Sequence, residues 1–189
     1  NLRKWLPVSM KRIAFYGGSF DPPHRGHLTI SDALFEEFDL DAFVFIPAFH
    51  APHKARLKPT SAYDRYAMLC LATQGSAKMT VSRLEIEVPE RPYSVETLSR
   101  ILEQMLDDEI FFVIGADSWR DILTWREWEK VLTMVNIIVV TRPGVEIVFD
   151  HITDEIRRRI VDMRNGSEPG AVATGFRSEA TSIFITDAV

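Results

Sequence analysis

The sequence predicts an α/β fold in which a doubly wound parallel sheet carries helices on both faces. Short apolar runs of strand length alternate along the chain with longer stretches of helical periodicity, the order expected of parallel strands joined by helices. The runs at 110–114 and 137–140 are continuously apolar, which is typical of strands buried on both faces. A chain of 189 residues with 46% hydrophobic residues can bury one core, and we expect a single domain over residues 1–189.

Several predicted strands end where the chain has a reason to turn. The run 11–16 stops at two glycines, and the run 42–46 stops at Pro47, which cannot donate a ladder hydrogen bond. Residues 79–88 alternate between apolar and polar positions, as an extended segment does. The predicted strands are 11–16, 42–46, 79–88, 110–114, 136–141 and 182–186.

Between the strands, apolar residues recur three and four positions apart, as they do on one face of a helix. Ser61 and Ser94 each open one of these segments and are suited to cap a helix N-terminus. Asp64 and Glu96 then fall in the first turns, where a negative charge is favoured. The predicted helices are 26–38, 61–73, 94–106, 125–132 and 153–163.

Composition excludes several classes of protein. A net charge of −5 and a pI near 5.6 argue against binding to duplex nucleic acid, which usually needs a basic face. No apolar run approaches the roughly 20 residues that span a bilayer, and residues 1–9, which we expect to be an extension, lack a signal-peptide hydrophobic region. Cys70 is alone, so it makes no internal disulfide or multi-cysteine zinc site. We expect a cytoplasmic protein in which Cys70 is buried and inert in a helix. The protein could also form a homo-oligomer.

The unusual residues follow the predicted strands. In a doubly wound sheet, ligands bind outside the carboxyl ends of the strands, where the strand order reverses. That rule directs attention to four segments, which are 17–27, 47–54, 115–118 and 141–144.

The first of these segments carries the chemistry. It runs Gly-Gly-Ser-Phe-Asp-Pro-Pro-His-Arg-Gly-His from Gly17 to His27. Glycines allow the backbone to turn sharply and to approach a ligand closely, and the helix that follows points free N–H groups at the crevice, which favours phosphate. His24 and His27, three residues apart, can both face the same anion and stabilise charge that changes during a reaction.

Plainer interpretations of this segment exist. A Gly-Gly turn alone is common, and the two histidines could cap a helix on a surface loop. They could also bind a metal, although no further cluster of His or Cys follows in the sequence to complete the site. Asp21 could fix the loop backbone rather than touch a substrate. The whole string between a strand and a helix favours the functional interpretation.

The string resembles the signature of the nucleotidylyltransferase superfamily, whose shared core is [ST]-x-G-H or H-x-G-H after the first strand. Further segments resemble the bacterial nicotinate mononucleotide adenylyltransferases. They are Pro52-His53-Lys54 (PHK), Gly115-Ala116-Asp117-Ser118 (GxDS), Thr124-Trp125 (the tryptophan segment) and Thr141-Arg142-Pro143-Gly144 (RPG). The ordered matches run from about Lys11 to Gly144, which is most of the chain.

This resemblance implies a Rossmann-like fold and a reaction. The family transfers the adenylyl group of ATP to nicotinate mononucleotide, forming nicotinate adenine dinucleotide and pyrophosphate in NAD biosynthesis, with ATP as substrate and Mg²⁺. The mononucleotide phosphate attacks the α-phosphorus in line, so no protein nucleophile is required. Positioning and charge stabilisation should then supply the catalysis.

The resemblance also implies roles for individual residues. His24 and His27 would contact the ATP phosphates, with His27 nearest the reacting centre. The backbone of Gly17, Gly18, Ser19 and Phe20 would line the nucleotide crevice, and Lys54 would contact phosphate. The ribose would lie at Gly115, Asp117 and Ser118. Trp125 would stack on the pyridine ring with Tyr93 and Ser94 near it, and Arg142 would flank the adenine side.

Some of these residues have ordinary structural explanations. Trp125 could be one of several helix-packing aromatic residues, since Trp119 and Trp128 are close in sequence, and Asp117 could simply cap a helix. Lys54 lies in a basic loop of the kind that is usually only solvated.

One departure from the family pattern concerns the end of the chain. The family closes with an I-S-x-T-x-I-R segment after the last strand, whose helix N-terminus and arginine grip the ATP phosphates. Residues 179–183 (Glu-Ala-Thr-Ser-Ile) resemble it only superficially, because they lack the arginine and precede a strand. We expect the final motif to lie beyond residue 189.

Three alternative functions stay open at this point. The acceptor could be the amide, nicotinamide mononucleotide, or it could be phosphopantetheine, although the Trp125 segment and the PHK loop argue against the latter. The protein could also bind nucleotide without turnover.

Overall fold

An all-parallel sheet of seven strands organises the computed structural model, which describes residues 10–49, 60–88, 92–141, 145–164 and 181–187. Every strand pairing is parallel, and the spatial order is β3-β2-β1-β4-β5-β7-β6. The strands are β1 (Arg12–Gly18), β2 (Ala42–Pro47), β3 (Met79–Val81), β4 (Glu109–Gly115), β5 (Asn136–Val140), β6 (Ile160–Asp162) and β7 (Ile183–Thr186).

Helices cover both faces of this sheet. They are α1 (Arg25–Glu37), α2 (Ala62–Thr73), α3 (Ser94–Gln104), α4 (Ala116–Arg120), α5 (Trp128–Met134) and α6 (Asp154–Arg157), and a short 3₁₀ helix spans Ile122–Thr124. Leu34 of α1 and Leu69 of α2 pack on one face of the sheet, and Leu98 of α3 and Trp119 of α4 pack on the other. The predicted fold class, a doubly wound α/β sheet, is confirmed.

The continuous apolar runs belong to strands that are buried on both faces of the sheet, as predicted. Along β4, Phe111 and Val113 belong to the cluster that includes α1 and α2, whereas Ile110, Phe112 and Ile114 belong to the opposite cluster. Because neighbouring side chains point to opposite faces, a strand covered on both sides needs apolar residues at every position.

The order of the strands reverses between β1 and β4. From β1 the chain moves outward through β2 and β3, and it then returns to β4 on the other side of β1. Tyr16 lies opposite Val113 in the parallel ladder, so both strands end at the same edge of the sheet. This is the position at which a doubly wound sheet opens a crevice for a ligand.

One predicted helix cap is confirmed and another is displaced by one residue. The Ser61 hydroxyl accepts the Asp64 N–H at 3.1 Å, as predicted for the start of α2. Ser94, in contrast, is the first residue of α3, and Tyr93 is the residue before it. The Glu96 carboxylate accepts the Tyr93 N–H at 3.0 Å. A side chain in the first turn of α3 therefore binds the backbone of the residue that precedes the helix.

Two of the predicted elements are shorter than expected. The extended segment 79–88 ends as a strand at Val81, and a turn follows in which the Ile86 N–H donates to the Arg83 carbonyl at 2.9 Å. The predicted helix 153–163 is helical only at Asp154–Arg157, because Ile160–Asp162 pairs with β7 as an edge strand. Pairing with a distant strand outweighs local periodicity in that segment.

The predicted helix 125–132 begins three residues later than expected. Trp125 has extended backbone, Glu127 is left-handed with φ of 51°, and α5 starts only at Trp128. The prediction that Cys70 is buried is wrong as well, since the thiol is half-exposed on α2, where it hydrogen-bonds Tyr66.

Candidate functional site

The turn after β1 is built around two glycines and one aromatic ring. Phe20 has φ of 49° and is buried, and a Cβ placed on Gly18 would lie 3.0 Å from its ring. A Cβ on Gly17 would lie 3.3 Å from the Phe112 ring. The glycines therefore let two aromatic rings close over the turn, which any larger side chain would displace.

His24 and His27 lie against each other at the start of α1. Their ring centroids are 3.8 Å apart and the rings are stacked. The His24 backbone N–H donates to Nδ1 of His27 at 3.1 Å, so Nδ1 must be unprotonated. The neutral ring then carries its proton on Nε2, so Nε2 is the donor nitrogen of this ring.

The packing around the two rings fixes His27 more tightly than His24. The His27 ring is half-buried and meets the Phe20 ring edge to face at 5.0 Å and the Tyr16 ring at 6.1 Å. His24 is exposed. A Cβ on Gly26 would lie 3.2 Å from the His24 ring, so a glycine at this position leaves room for the stack.

Asp21 fixes the loop between these elements. Its Oδ2 accepts the Thr60 N–H at 3.0 Å, which ties the β1 loop to the residue where the chain enters α2. The interpretation of Asp21 as a residue that holds loop backbone agrees with this contact.

Arg65, on α2, is a residue of the site that the sequence did not indicate. Its side chain is 2% exposed and donates to the backbone carbonyls of Ser19, Ala48, Phe49 and Thr60. Burial lowers the pKa of Arg65, and the charge of Asp21 opposes that effect. One signal was present in the sequence, because Arg65 falls in phase with the buried face formed by Ala62, Leu69 and Thr73.

The predicted ribose-binding segment lies at the end of the neighbouring strand. Gly115 closes β4, and a Cβ placed on it would meet open space. Asp117 sits in the first turn of α4, with its side chain 55% exposed and one oxygen 4.0 Å from Arg120. Gly115 occupies the N-cap position, so Asp117 is not the residue that caps this helix. Ser118 is half-buried beside it.

Trp125 lies at the same edge of the sheet, on the face opposite the histidines. Its ring is half-buried and meets the Phe112 ring edge to face at 6.5 Å. Phe112 also lies under Gly17, so one ring connects the β1 turn to Trp125. Trp119, in contrast, is fully buried and its indole N–H donates to the Val148 carbonyl, which makes it the core tryptophan of this region.

Tyr93 and Arg126, the residue after Trp125, form a cation–π contact. The Arg126 guanidinium lies 4.8 Å from the centroid of the exposed Tyr93 ring and 3.4 Å from Glu96. The half-buried Ser94 follows Tyr93 directly. The start of α3 and the Trp125–Arg126 segment are therefore neighbours in space.

The predicted site residues thus form three groups along the carboxyl edge of the sheet. Lys54 and Arg142 lie outside the described residues. The three groups are Gly17, Gly18, Ser19, Phe20, His24 and His27 after β1, Gly115, Asp117 and Ser118 after β4, and Tyr93, Ser94 and Trp125 at the start of α3 and before α5.

Two classes of feature are absent from the part of the chain that the structure describes. No three side chains of His, Cys, Asp or Glu come together there as candidate metal ligands. None of the helices in the described ranges has the length and apolar character needed to cross a membrane.

Comparison with known proteins places the chain in one family. The model of the cytidylyltransferase-like family matches residues 15–172. A probable nicotinate-nucleotide adenylyltransferase of Corynebacterium glutamicum is 39% identical over 136 residues, which are 72% of this chain and 62% of the relative. One from Thermus thermophilus is 42% identical over 133 residues, which are 70% of each protein. The chain thus spans roughly two thirds of the length of these relatives.

Solved structures share the fold. The nicotinic acid mononucleotide adenylyltransferase of Plasmodium falciparum, complexed with NaAD, aligns with a TM-score of 0.65 at 19% identity, over 86% of this chain and 88% of that one. A structure of the same enzyme complexed with APC aligns with a TM-score of 0.61 at 23% identity, over 73% and 67%. At these identities the likeness concerns the architecture alone.

Proposed function

The chain belongs to the cytidylyltransferase-like family and groups there with nicotinate-nucleotide adenylyltransferases, and from this premise we propose that it transfers the adenylyl group of ATP to nicotinate mononucleotide. The products are nicotinate adenine dinucleotide and pyrophosphate, and the reaction serves NAD biosynthesis. The observation that carries the proposal is the stacked pair of His24 and His27 beside a glycine turn, at the edge where the sheet opens.

The reaction requires placement more than covalent chemistry. An oxygen of the mononucleotide phosphate forms a bond to the α-phosphorus of ATP, and the bond from that phosphorus to the β-phosphate oxygen breaks. Pyrophosphate leaves with the electron pair, so negative charge grows on the leaving group. Groups that are held in advance where this charge grows stabilise the transition state without reorganising.

We assign that role to His27, with His24 as a second phosphate contact. Nδ1 of His27 accepts the His24 N–H at 3.1 Å, so the proton of the neutral ring is on Nε2, and we assign this N–H to a phosphate oxygen. The packing of Phe20 and Tyr16 around the ring limits the conformations that must be given up on binding. The first turn of α1 contains no acidic residue, and the positive end of the helix dipole adds to the attraction for phosphate.

The rest of the crevice would bind the two nucleotides. The backbone of Gly17, Gly18, Ser19 and Phe20 forms its floor, since the glycines leave no side chain between the backbone and a ligand. We place the ribose at the end of β4, where the Cβ position of Gly115 is open. There the exposed Asp117 carboxylate would accept from the ribose hydroxyls, and Ser118 would add a polar contact.

The remaining residues divide between the pyridine ring and the phosphates. Trp125 offers a flat surface for the ring, and Tyr93 and Ser94 border the same place. Lys54 and Arg142 would meet phosphate and the adenine side, respectively.

Mg²⁺ would enter this site with ATP. A Mg²⁺ ion of this kind keeps several waters and is held mainly by substrate phosphates with one or two carboxylates. When bound, the ion neutralises phosphate charge. Asp117 is the exposed carboxylate at the crevice that would face it or the ribose.

The cellular setting follows from the proposed reaction. ATP and pyridine mononucleotides are small-molecule substrates, so we propose that the protein works in the cytoplasm as a single domain without nucleic-acid or membrane partners. The acidic net charge of −5 supports this assignment.

Pyrophosphate release by the full-length protein tests the proposal. Nicotinate mononucleotide, nicotinamide mononucleotide and phosphopantetheine would be compared as acceptors, each with ATP and Mg²⁺. We expect turnover with nicotinate mononucleotide to exceed that with the other two. Preference for another acceptor would overturn the substrate assignment, and ATP binding without release of pyrophosphate would identify a binding protein.

A further inference from the structure

The segment that leaves β2 is held from two sides by ionisable side chains. Ala48 and Phe49 follow β2 directly and lead into residues 50–59. The Ala48 N–H donates to the Gly18 carbonyl at 2.8 Å, so this segment lies beside the glycine turn. Arg65 of α2 and Glu85 of the turn after β3 both bind its backbone.

Arg65 connects three pieces of backbone that are distant in sequence. Nη1 donates to the Ser19 carbonyl in the β1 turn, and Nη2 donates to the Ala48 carbonyl at 2.6 Å and the Phe49 carbonyl at 3.4 Å. Nε donates to the Thr60 carbonyl at 3.1 Å. A planar guanidinium can serve all of these acceptors at once, whereas the ammonium of lysine cannot reach them from one point.

Glu85 holds the same segment from the opposite side. Its carboxylate accepts a backbone hydrogen bond from Phe49 and the hydroxyl of Thr97 at 2.9 Å, with Arg100 the nearby cation. Thr97 is buried on α3, and its N–H donates to the Tyr93 carbonyl at 3.0 Å. Glu85 therefore links the segment after β2 to the helix that begins at Tyr93 and Ser94.

We propose that Arg65 and Glu85 are positioning residues that hold Ala48–Phe49 between the glycine turn and α3, and so fix the backbone of the glycine turn and of Ala48–Phe49 at the edge of the nucleotide crevice. The inference rests on the proposed function in that it takes this crevice to bind ATP. Neither side chain needs to touch the substrate, because each acts through the backbone that it binds.

The chemistry of the two residues supports a role beyond packing. Removing an arginine or a carboxylate from water is unfavourable, and an apolar side chain could not satisfy the carbonyls and the N–H group of this segment. Burial raises the pKa of Glu85 to about 6, opposed by the Thr97 and Phe49 hydrogen bonds and by Arg100. The carboxylate is therefore mostly ionised at neutral pH and loses its charge in mild acid.

The first experiment compares Arg65→Lys with Arg158→Lys. Arg158 is exposed at the end of α6, a helix that packs through Ile156 on the face of the sheet opposite α2. Calorimetry measures the ATP dissociation constant of each variant in the absence of an acceptor. Circular dichroism gives the thermal midpoint of each variant, and the binding measurement is made at a temperature below it. We expect Arg65→Lys to weaken ATP binding by about tenfold or more and Arg158→Lys to leave it unchanged. A folded Arg65→Lys protein that binds ATP within about twofold of the parent would overturn the role of Arg65.

The second experiment uses Glu85→Gln, which keeps the shape of the side chain and removes its charge. We expect the ratio of its ATP dissociation constant to that of the parent to be about threefold or more at pH 8 and to approach one at pH 5, where the parent carboxylate is protonated as well. The titration of ATP itself cancels in this ratio. Glu103→Gln, exposed on α3, should give a ratio near one at both pH values.

These measurements separate the inference from the proposed function. If the parent binds ATP but releases no pyrophosphate with any acceptor, the proposed reaction fails while both comparisons can still be made. If the parent does not bind ATP, both ideas fail. If Arg65→Lys does not fold, the Glu85→Gln ratio decides, and a ratio that does not change with pH overturns the inference.

Discussion

Replacing Glu85 with glutamine should stabilise the protein at neutral pH, although Glu85 makes well-formed hydrogen bonds. Burial raises the pKa of its carboxyl to about 6 from an ordinary value of 4.5. The folded state therefore binds this proton more tightly than the unfolded chain does. The contribution of the Glu85 carboxyl to the free energy of unfolding is therefore fully present below pH 4.5 and is lost as the pH rises through 6.

The size of the effect follows from the two pKa values. A pKa of about 6 rather than 4.5 corresponds to about 2 kcal/mol, at roughly 1.36 kcal/mol for each pH unit. Glutamine is neutral at every pH and keeps an oxygen for the Thr97 hydroxyl. We therefore expect Glu85→Gln to raise the free energy of unfolding by about 1–2 kcal/mol at pH 8 and to change it little at pH 4.5.

Urea denaturation followed by tryptophan fluorescence measures this difference at pH 8, 6 and 4.5. Glu103→Gln serves as the control, because its side chain is exposed on the same helix as Thr97. A Glu85→Gln protein that is less stable than the parent at pH 8, or whose stability difference stays constant with pH, would refute the reasoning. Together with weaker ATP binding, the expected gain would indicate that a buried charge is kept for function at the expense of stability.

Three further predictions concern the site. His27→Ala should lower the turnover number by about 100-fold and change the ATP dissociation constant by less than about threefold, because the contact strengthens only in the transition state. Steady-state rates and calorimetry measure the two quantities, and equal losses in both would contradict this role. Trp125→Ala should raise the KM for the mononucleotide about tenfold with the KM for ATP nearly unchanged, and an unchanged mononucleotide KM would make Trp125 a packing residue. Gly18→Ala should lower the unfolding free energy by about 1–3 kcal/mol in urea denaturation, because its Cβ would lie 3.0 Å from the Phe20 ring, and a parent-like value would show that the ring moves freely.

Local patterns in the sequence predicted the features that depend on neighbours in the chain. The strand 42–46, the helix start at Ser61 and the glycine-histidine segment follow from apolar runs, capping chemistry and a short string of residues. The two-sided burial of β4 also follows, since a strand without polar positions has no face for water.

Periodicity was misleading where pairing with a distant strand decides the conformation. Ile156 and Ile160 fall at helical spacing, yet Ile160 pairs with Ile183 in the sheet. Trp125 was expected on a helix for the same reason, but the chain there is extended and its ring is directed by the contact with Phe112. Such choices depend on which surfaces are already formed, and no window of sequence contains that information.

Local patterns in the chain were enough to predict the class of fold, the edge of the sheet where a crevice is expected and the two histidines proposed to contact phosphate. How these pieces are held together depends on contacts that form only in the folded protein. Arg65 joins the backbone at Ser19, Ala48, Phe49 and Thr60, and Glu85 joins Phe49 to Thr97. Hydrogen bonds to main-chain atoms leave no mark on the identity of the residues that accept or donate them, so contacts of this kind become visible only when the chain is folded.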